Sequence, residues 1–140
     1  MKKIFLDTNI WVRFFVEDNQ EQFDQTKILL TQVGEGNLRV YTSTVVLLEL
    51  QFVLQKLYHL SFEKTVEVFE IIRNVRNITV IEKTNLNLAI KFLKLYKIKF
   101  PDCLIASQLP KNTVLVSFDE ELSKIKEITV KTPGQVFSQT

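Results

Sequence analysis

Four acidic residues, far apart along the chain, are the side chains best suited to do chemistry together. Two of them close apolar runs: Asp7 follows residues 4–6, and Asp119 follows residues 114–118. Short apolar runs predict buried strands, so both acids are expected at the carboxyl ends of strands. Because open α/β sheets place their functional sites at those ends, Asp7 and Asp119 are candidate site residues.

The other two acids, Glu49 and Asp102, lie in segments with helical periodicity. In residues 45–53, positions 45, 48, 52 and 53 share one helical face with Glu49, so this carboxylate interrupts an apolar stripe that is expected to face the core. Asp102 follows Pro101, a favoured first residue of helices, and shares a face with apolar residues further along. Both carboxylates are therefore expected to point inward.

Four carboxylates gathered in an apolar setting need a positive charge. Burying one unpaired carboxylate costs on the order of several kcal/mol, and mutual repulsion adds to that cost. A divalent cation resolves both problems, and an all-oxygen ligand set favours Mg²⁺ or Mn²⁺. Structural zinc prefers thiolate and imidazole ligands, and the chain has one Cys, Cys103, and one His, His59. The acids thus predict a magnesium or manganese site.

The composition describes one compact domain. The chain has 140 residues, 46% hydrophobic and 24% charged, with three Gly and three Pro, which leaves little room for long loops. This length predicts a single domain over residues 1–140. A polar end follows a Pro-Gly step, so a frayed tail is expected from about residue 134.

The targeting features predict a cytoplasmic location. The chain has no apolar segment of about 18 residues that could cross a membrane, and its first residues lack the apolar core of a signal peptide. A single Cys excludes an internal disulfide, which fits a reducing compartment. We therefore expect no membrane partner.

Positive charge is concentrated in the second half of the chain. The net charge is only +2, yet residues 83–99 contain five lysines and no acid. Lys91, Lys94 and Lys97 could form one wall of a groove that follows the phosphates of a nucleic acid. They could equally be the solvated face of a helix, and the two interpretations are compatible.

Strand and helix patterns alternate along the chain. Short apolar or β-branched runs predict five strands, at residues 2–6, 38–42, 78–82, 113–117 and 127–131. Helical periodicity fills the intervals, and no hairpin dipeptide joins neighbouring strands. This order predicts a three-layer α/β/α fold with a central, mostly parallel five-stranded sheet.

With the acids placed, four motifs resemble those of PIN-domain ribonucleases. Residues 5–10 are similar to the first acidic motif of that family, and residues 46–49 resemble the second, a Glu on a buried helix. Residues 100–106 resemble the third motif, and residues 117–119 the fourth, in which Ser or Thr stands two residues before the Asp. The likeness covers nearly the whole chain. In size and motif layout, the chain most resembles the VapC-type toxins of VapBC toxin-antitoxin pairs.

The resemblance implies a PIN-like fold, a reaction and partners. The reaction is Mg²⁺- or Mn²⁺-dependent cleavage of RNA, in which Asp7, Glu49 and Asp102 hold one or two ions and Asp119 completes the acidic pocket. The ion shields the scissile phosphate and lowers the pKa of a bound water. The implied partners are a second copy of the chain, as a homodimer, and a cognate antitoxin that covers the acidic site.

Three polar residues next to the acids are candidate supporting residues. Thr8, Asn9 and Ser117 are placed to orient carboxylates or metal-bound waters through hydrogen bonds. Each could instead cap a helix or close a turn.

The same alternative applies to two of the acids. Asp102 and Asp119 stand near predicted helix starts, where acids serve as ordinary first-turn or capping residues. Glu49 lies within a helix and has no such explanation, which makes it the most diagnostic of the four.

Other reactive or aromatic residues are expected to be structural. Trp11, Phe14 and Phe15 could stack on a base, although core packing is favoured for a chain with eleven Phe. His59 is expected on the surface, and Cys103 is expected to pack inside rather than to act as a nucleophile.

Three rival functions share some of these features. A haloacid-dehalogenase-like phosphatase also has an Asp after its first strand, but its second Asp would stand where this chain has Asn9. A response-regulator receiver clusters acids at strand ends, but it does not explain Glu49. A PIN-like domain retained only for binding is the third rival, and the complete acid set argues against it.

Overall fold

The computed structural model describes residues 1–137. Its helices are α1 (Thr8–Phe15), α2 (Gln20–Gly34), α3 (Thr44–Phe52), α4 (Phe62–Arg73), α5 (Leu86–Tyr96) and α6 (Phe100–Gln108). A π-helical turn, Val53–Leu57, extends α3. Two 3₁₀ turns, Glu120–Lys124 and Pro133–Gln135, lie near the end.

The five strands form one parallel sheet. They are β1 (Lys2–Leu6), β2 (Leu38–Ser43), β3 (Ile78–Ile81), β4 (Thr113–Val116) and β5 (Thr129–Lys131), in the spatial order β3-β2-β1-β4-β5. All four neighbouring pairs are parallel. Helices cover both faces, so the predicted three-layer α/β/α fold is confirmed.

The strand order creates a crevice beside β1. The chain leaves β1 for β2 on one side and later returns to β4 on the other. At such a reversal, the loops after the two central strands diverge and leave a crevice at their carboxyl ends. Asp7 follows β1 at this point, and residues 117–119 follow β4.

The central strand is buried because its residues are apolar on both faces. Ile4, Phe5 and Leu6 are fully buried, as expected for a parallel strand between two helical layers. Trp11 packs in the same core and donates its indole N–H to Thr42 Oγ1 at 3.3 Å. Core packing is therefore the role of Trp11, as the sequence favoured.

Short polar side chains begin several of the helices. Ser43 Oγ accepts from Val46 N at 3.3 Å, and Ser61 Oγ accepts from Lys64 N at 3.1 Å. Asn85 begins α5 in the same way, since its Oδ1 accepts from Leu88 N at 3.1 Å.

A smaller apolar cluster secures the second half of the chain. Ala89 and Phe92 of α5 pack against Cys103 and Ala106 of α6 and against Ile125. Cys103 is fully buried there, as expected for a packing residue. The cluster holds α6, and with it Asp102, at the edge of the sheet.

The carboxyl-terminal segment packs further than the predicted start of fraying. Pro133–Gln135 form a 3₁₀ turn, and Val136 is fully buried in the main core. Residues 138–140 lie outside the described residues. Within residues 1–137, no helix combines the length and apolar character that crossing a membrane requires.

Candidate active site

The four acids predicted from the sequence line one pocket. This pocket has a volume of about 260 Å³ and opens at the carboxyl ends of β1 and β4. The acids on its wall are Asp7, Glu49, Asp102 and Asp119. Folding therefore brings together side chains that lie as far as 112 positions apart in the numbering, from 7 to 119.

Asp7 is fixed in the wall of the pocket by hydrogen bonds to both of its carboxylate oxygens. Its Oδ1 accepts from Thr8 N at 2.7 Å, where Asp7 caps α1. Its Oδ2 accepts from Ser117 Oγ at 2.7 Å. Burial nevertheless raises the pKa of Asp7 above its ordinary value, against the lowering effect of these two bonds.

Ser117 ties the end of β4 to the start of α1. Its hydroxyl donates to Asp7 and accepts from Asn9 Nδ2 at 3.0 Å and from Asp119 N at 3.0 Å. One donor and two lone pairs are all that a hydroxyl has, so Ser117 is fully used. Asn9 completes the connection, since its Oδ1 accepts from Phe118 N at 3.1 Å. These contacts orient Asp7 as the sequence predicted for supporting residues.

Glu49 reaches the pocket from α3, and its partner is Thr8. Thr8 Oγ1 donates to Glu49 Oε1 at 3.1 Å. Burial and, next, the negative charge of Asp7 raise the pKa of Glu49. Thr8 thus connects two of the acids, with its backbone N–H on Asp7 and its hydroxyl on Glu49.

The predicted orientation of α3 is wrong: the apolar face that contains Glu49 is not the face that packs in the core. Leu48 and Phe52 are 70% and 62% exposed, whereas Val46, Leu50 and Leu54 are fully buried. The helix is almost uniformly apolar in this region, so its periodicity does not identify the buried face. Glu49 lies beside the core-facing row and at the edge of the pocket, where it is only partly buried.

Asp102 is the acid with a buried oxygen that lacks a partner among residues 1–137. It lies in the first turn of α6, is 4% exposed, and has its pKa raised to about 7 by burial and then by the charge of Asp7. Its Oδ2 is buried and has no hydrogen-bond partner among residues 1–137. A buried carboxylate oxygen without a donor is a position where a cation fits.

Asp119 has the two roles that the sequence left open. Its Oδ1 accepts from Glu121 N at 2.9 Å, which caps the 3₁₀ turn Glu120–Lys124. It also lines the pocket, and its charge helps to raise the pKa of Asp7 and Asp102. Asp119 therefore both caps this turn and lines the pocket.

The donor set suits a hard divalent cation, although the carboxylates do not already surround a single point. Within the described chain, no three His, Cys, Asp or Glu side chains are arranged so that they could hold a metal ion as they stand. The pocket offers carboxylate oxygens, which are the ligands that Mg²⁺ and Mn²⁺ prefer. One of these oxygens, Asp102 Oδ2, has no hydrogen-bond partner among the described residues.

Lys99 is a pocket residue that the sequence interpretation passed over. It lines the pocket, and its positive charge lowers the pKa of Asp7, Glu49 and Asp102 against the larger effect of burial. The signal was present in the sequence, because Lys99 ends the lysine run and stands three residues before Asp102.

The three lysines named from the sequence lie elsewhere. Lys91 and Lys94 are exposed on α5 and line a separate surface depression. Lys97 ends α5 in a left-handed conformation, with φ of 53°. Their position agrees with a solvated helix face.

Arg13 and Tyr58 also line the pocket and were not singled out from the sequence. Arg13 follows Asn9 by one helical turn, which is the pattern that could have identified it. His59, next to Tyr58, is exposed, as expected.

Comparison with known proteins identifies the family. A model of the PIN domain family matches residues 4–128. No curated protein matches the chain in sequence.

Several solved structures have the same fold. VapBC2 from Rickettsia felis, bound to a DNA fragment from its promoter, is similar with a TM-score of 0.70 and 21% identity, covering 93% of this chain and 98% of that chain. VapBC-1 from nontypeable Haemophilus influenzae has a TM-score of 0.66 and 17% identity, with coverage of 94% and 98%. FitAcB from Neisseria gonorrhoeae has a TM-score of 0.64 and 19% identity, with coverage of 93% and 97%. Since the family model spans most of its length, the chain belongs to the PIN domain family.

Proposed function

We propose that this PIN domain is a divalent-metal-dependent endoribonuclease that hydrolyses RNA phosphodiester bonds. The observation that carries the proposal is the shared acidic pocket, in which the buried Asp102 Oδ2 has no hydrogen-bond donor among the residues that the structure describes. Burial and mutual repulsion raise the pKa of three of its acids, and a divalent cation would restore their ionised forms. Family membership supports a nuclease.

In this proposal Asp7, Glu49 and Asp102 hold Mg²⁺ or Mn²⁺, with Asp119 completing the site. The bound cation supplies a water of lowered pKa and neutralises charge on the scissile phosphate. Hydrogen bonds from Ser117 and Thr8 fix the orientation of the Asp7 carboxylate, so it can bind the cation without reorienting. No nucleophilic Ser, Cys or His is required.

The cellular role that we propose is that of the toxin in a type II toxin-antitoxin pair, acting in the cytoplasm. The VapBC and FitAcB structures support a cognate antitoxin as partner. A second copy of the chain is a further proposed partner. Leu48, Phe52 and Phe62 are each more than 60% exposed and do not line the acidic pocket, and such large exposed apolar side chains favour an interface.

The rival functions fit the pocket less well. A haloacid-dehalogenase-like phosphatase needs an acid two residues after Asp7, but Asn9 is an amide whose two ends bind Ser117 and Phe118. A receiver has no use for Glu49 on the pocket wall. A PIN domain that only binds protein would not need four acids in one pocket, where burial raises the pKa of Asp7, Glu49 and Asp102.

A cleavage assay tests the proposal. Structured and single-stranded RNAs are incubated with Mg²⁺, Mn²⁺ or EDTA, and a phosphomonoester and an acyl-phosphate donor are tested in parallel. We expect RNA cleavage that requires either metal. Undiminished cleavage in EDTA contradicts metal dependence, phosphomonoester hydrolysis favours the phosphatase, and phosphorylation of one Asp favours the receiver.

Ser117→Ala is expected to weaken metal-dependent cleavage through loss of orientation. The substitution removes the donor to Asp7 Oδ2 and the acceptor of Asn9 Nδ2 and Asp119 N. Loss of an outer hydrogen bond of this kind costs roughly 10- to 100-fold in metal affinity or activity. The measurement is the Mn²⁺ concentration at half-maximal cleavage. Ser107→Ala is the control, since its hydroxyl donates to Leu104 O within α6, away from the pocket.

Lys99→Gln is expected to raise KM for RNA more than the combined change of Lys91 and Lys94 to Gln. Lys99 is the lysine on the pocket wall, whereas Lys91 and Lys94 lie on the outer face of α5. Loss of one phosphate contact also lowers the salt dependence of affinity by about 0.7 for a single strand. A larger effect from the Lys91 and Lys94 pair would instead favour the groove predicted from the lysine run.

A further inference from the structure

One wall of the acidic pocket is not acidic. It consists of Val12, Arg13, Val53, Leu57 and Tyr58. Metal ions bind to oxygen ligands, and phosphates bind to cations. The apolar side chains on this wall therefore contribute to neither kind of binding. An aromatic ring, aliphatic groups and a guanidinium together suit a nucleotide, which has a flat base and a charged phosphate.

The guanidinium on this wall is held in a fixed position. Arg13 Nη1 donates to Asp18 Oδ1 at 2.7 Å, and Arg13 Nε donates to Gln22 Oε1 at 2.7 Å. Its Nη1 also donates to the Tyr58 hydroxyl at 3.3 Å. The Arg13 side chain is 24% exposed, so it is anchored yet open to a ligand. A planar guanidinium anchored in this way is arranged in advance to bind phosphate oxygens.

Asp18 positions the phenol ring as well. The Tyr58 hydroxyl donates to Asp18 Oδ2 at 2.8 Å, so one carboxylate holds both Arg13 and Tyr58. The bond from Tyr58 is the largest cause that lowers the pKa of Asp18, and the charge of Arg13 adds to it. Asp18 therefore stays ionised and keeps both partners in place at neutral pH.

The backbone geometry places the rest of this wall beside Glu49. Val53 and Leu57 follow Glu49 at intervals of four residues, and all three line the pocket. The turn Val53–Leu57 is π-helical and ends where Tyr58 N donates to Val53 O at 3.3 Å. Single π-helical turns occur frequently at functional sites, where the wider turn changes which side chains share a face.

The two cations of the pocket act on different groups. Lys99 lowers the pKa of the acids Asp7, Glu49 and Asp102, which places its charge near the expected scissile phosphate. The charge of Arg13 lowers the pKa of Asp18 on the other wall. The pocket thus has a second cation for a second phosphate.

We propose that this wall is a nucleotide subsite: Arg13 binds a phosphate next to the scissile one, and Tyr58 with Val53 and Leu57 takes an unpaired base. The inference rests on the proposed function and names the part of the RNA strand that the pocket recognises. A volume of about 260 Å³ shared with the acids suits one nucleotide rather than a base pair. The competing explanation is that Arg13 and Asp18 form an ordinary surface ion pair.

Binding of a fluorescein-labelled single-stranded 12-nucleotide RNA tests the charge of the subsite. All proteins carry Glu49→Gln and are measured with Mg²⁺, so that the RNA stays intact. Arg13→Gln is expected to weaken binding roughly tenfold at low salt and to reduce the slope of log Kd against log salt by about 0.7. The matched control is Arg73→Gln, which breaks the ion pair of 2.6 Å between Arg73 and Glu70 on α4, where neither residue lines the pocket.

Two substitutions at Tyr58 distinguish the contribution of its ring to RNA binding from that of its hydroxyl. Tyr58→Leu removes the ring and is expected to weaken RNA binding roughly 5- to 150-fold, the range for one stacked base. Tyr58→Phe keeps the ring and is expected to lose much less. Inorganic polyphosphate, which has phosphates but no bases, serves as a competitor. Arg13→Gln should weaken competition by polyphosphate, and Tyr58→Leu should leave it unchanged.

The outcomes distinguish the subsite from the proposed function. If the variants of Arg13 and Tyr58 bind the RNA as the Arg73→Gln control does, the subsite is refuted, whether or not the parent protein cleaves RNA. Absence of RNA binding by the Glu49→Gln parent also refutes it. If the unmodified protein, with Glu49 in place, never cleaves RNA with Mg²⁺ or Mn²⁺, the proposed function fails. A loss of RNA binding in the Arg13 and Tyr58 variants still supports the subsite in that case.

Discussion

Asp7→Asn and Glu49→Gln are each expected to lower RNA cleavage by on the order of 10³-fold or more while the fold is kept. Each change removes a negative charge that the proposed cation site requires, and a factor of 10³ corresponds to about 4 kcal/mol of lost transition-state stabilisation. The measurement is the initial rate of cleavage at saturating Mn²⁺, with circular dichroism to verify the fold.

Glu49→Gln disturbs the hydrogen bonds of the pocket less than Asp7→Asn does. Gln retains an oxygen that can accept from Thr8 Oγ1, which is the hydrogen bond that the Glu49 side chain makes within residues 1–137. Asn at position 7 retains the oxygen for Thr8 N, but its amide group would then meet Ser117 Oγ. The lone pairs of that hydroxyl are already occupied by Asn9 and Asp119, so Asp7→Asn also disturbs the hydrogen-bond network.

The control for charge removal is Glu63→Gln. Glu63 is exposed in the first turn of α4, and it does not line the acidic pocket. This variant should cleave RNA at the parental rate. If Asp7→Asn and Glu49→Gln also cleave at that rate, the acidic pocket is not the catalytic site.

The fold was predictable because each element carries a local signal. The five strands are short apolar runs separated by helical periodicity, and parallel order follows from the absence of hairpin turns. The predicted and observed strand bounds differ by at most two residues. The largest difference is at β5, which begins at Thr129 rather than at 127.

The rotation of α3 was not predictable from its sequence. Residues 45–48 and 50 are all apolar, so several helical faces could equally be buried. Tertiary contacts select the row of Val46, Leu50 and Leu54, which leaves Leu48 exposed. Glu49 nevertheless lines the pocket. The sequence pointed to it because this carboxylate interrupts an apolar helical stripe and because it stands where the resemblance places the second acidic motif.

Pocket residues other than the acids were missed for a different reason. A carboxylate in an apolar segment is conspicuous, whereas Arg13, Tyr58 and Lys99 have residue types that are ordinary on any surface. Their significance comes from three-dimensional neighbours: Asp18 for Arg13 and Tyr58, and the acids for Lys99. Sequence spacing alone does not specify such contacts.

In the absence of metal, Asp102→Asn is expected to stabilise the protein at pH 8 and to have little effect at pH 4. Asp102 has its pKa raised from 3.8 to about 7 by burial and by the charge of Asp7. Between these two values the folded protein holds a proton that the unfolded chain has released, so the free energy of unfolding falls as the pH rises from about 4 to about 7. Above that window the full cost of the buried charge is present, whereas Asn carries no charge.

The expected gain is about 1–3 kcal/mol at pH 8, less than the full pKa difference implies because the pocket is open to water. Urea unfolding of both proteins at pH 4, 6 and 8 in EDTA measures it, with Asp24→Asn on the exposed face of α2 as the control. Mn²⁺ should then stabilise the parent more than Asp102→Asn, since a ligand at free concentration L that binds only the folded state stabilises it by RT ln(1 + L/Kd), which increases as the ligand binds more tightly. Equal stability of the two proteins at pH 8 without metal, together with an equal response to Mn²⁺, would mean that Asp102 neither bears the strain of a buried charge nor binds the ion.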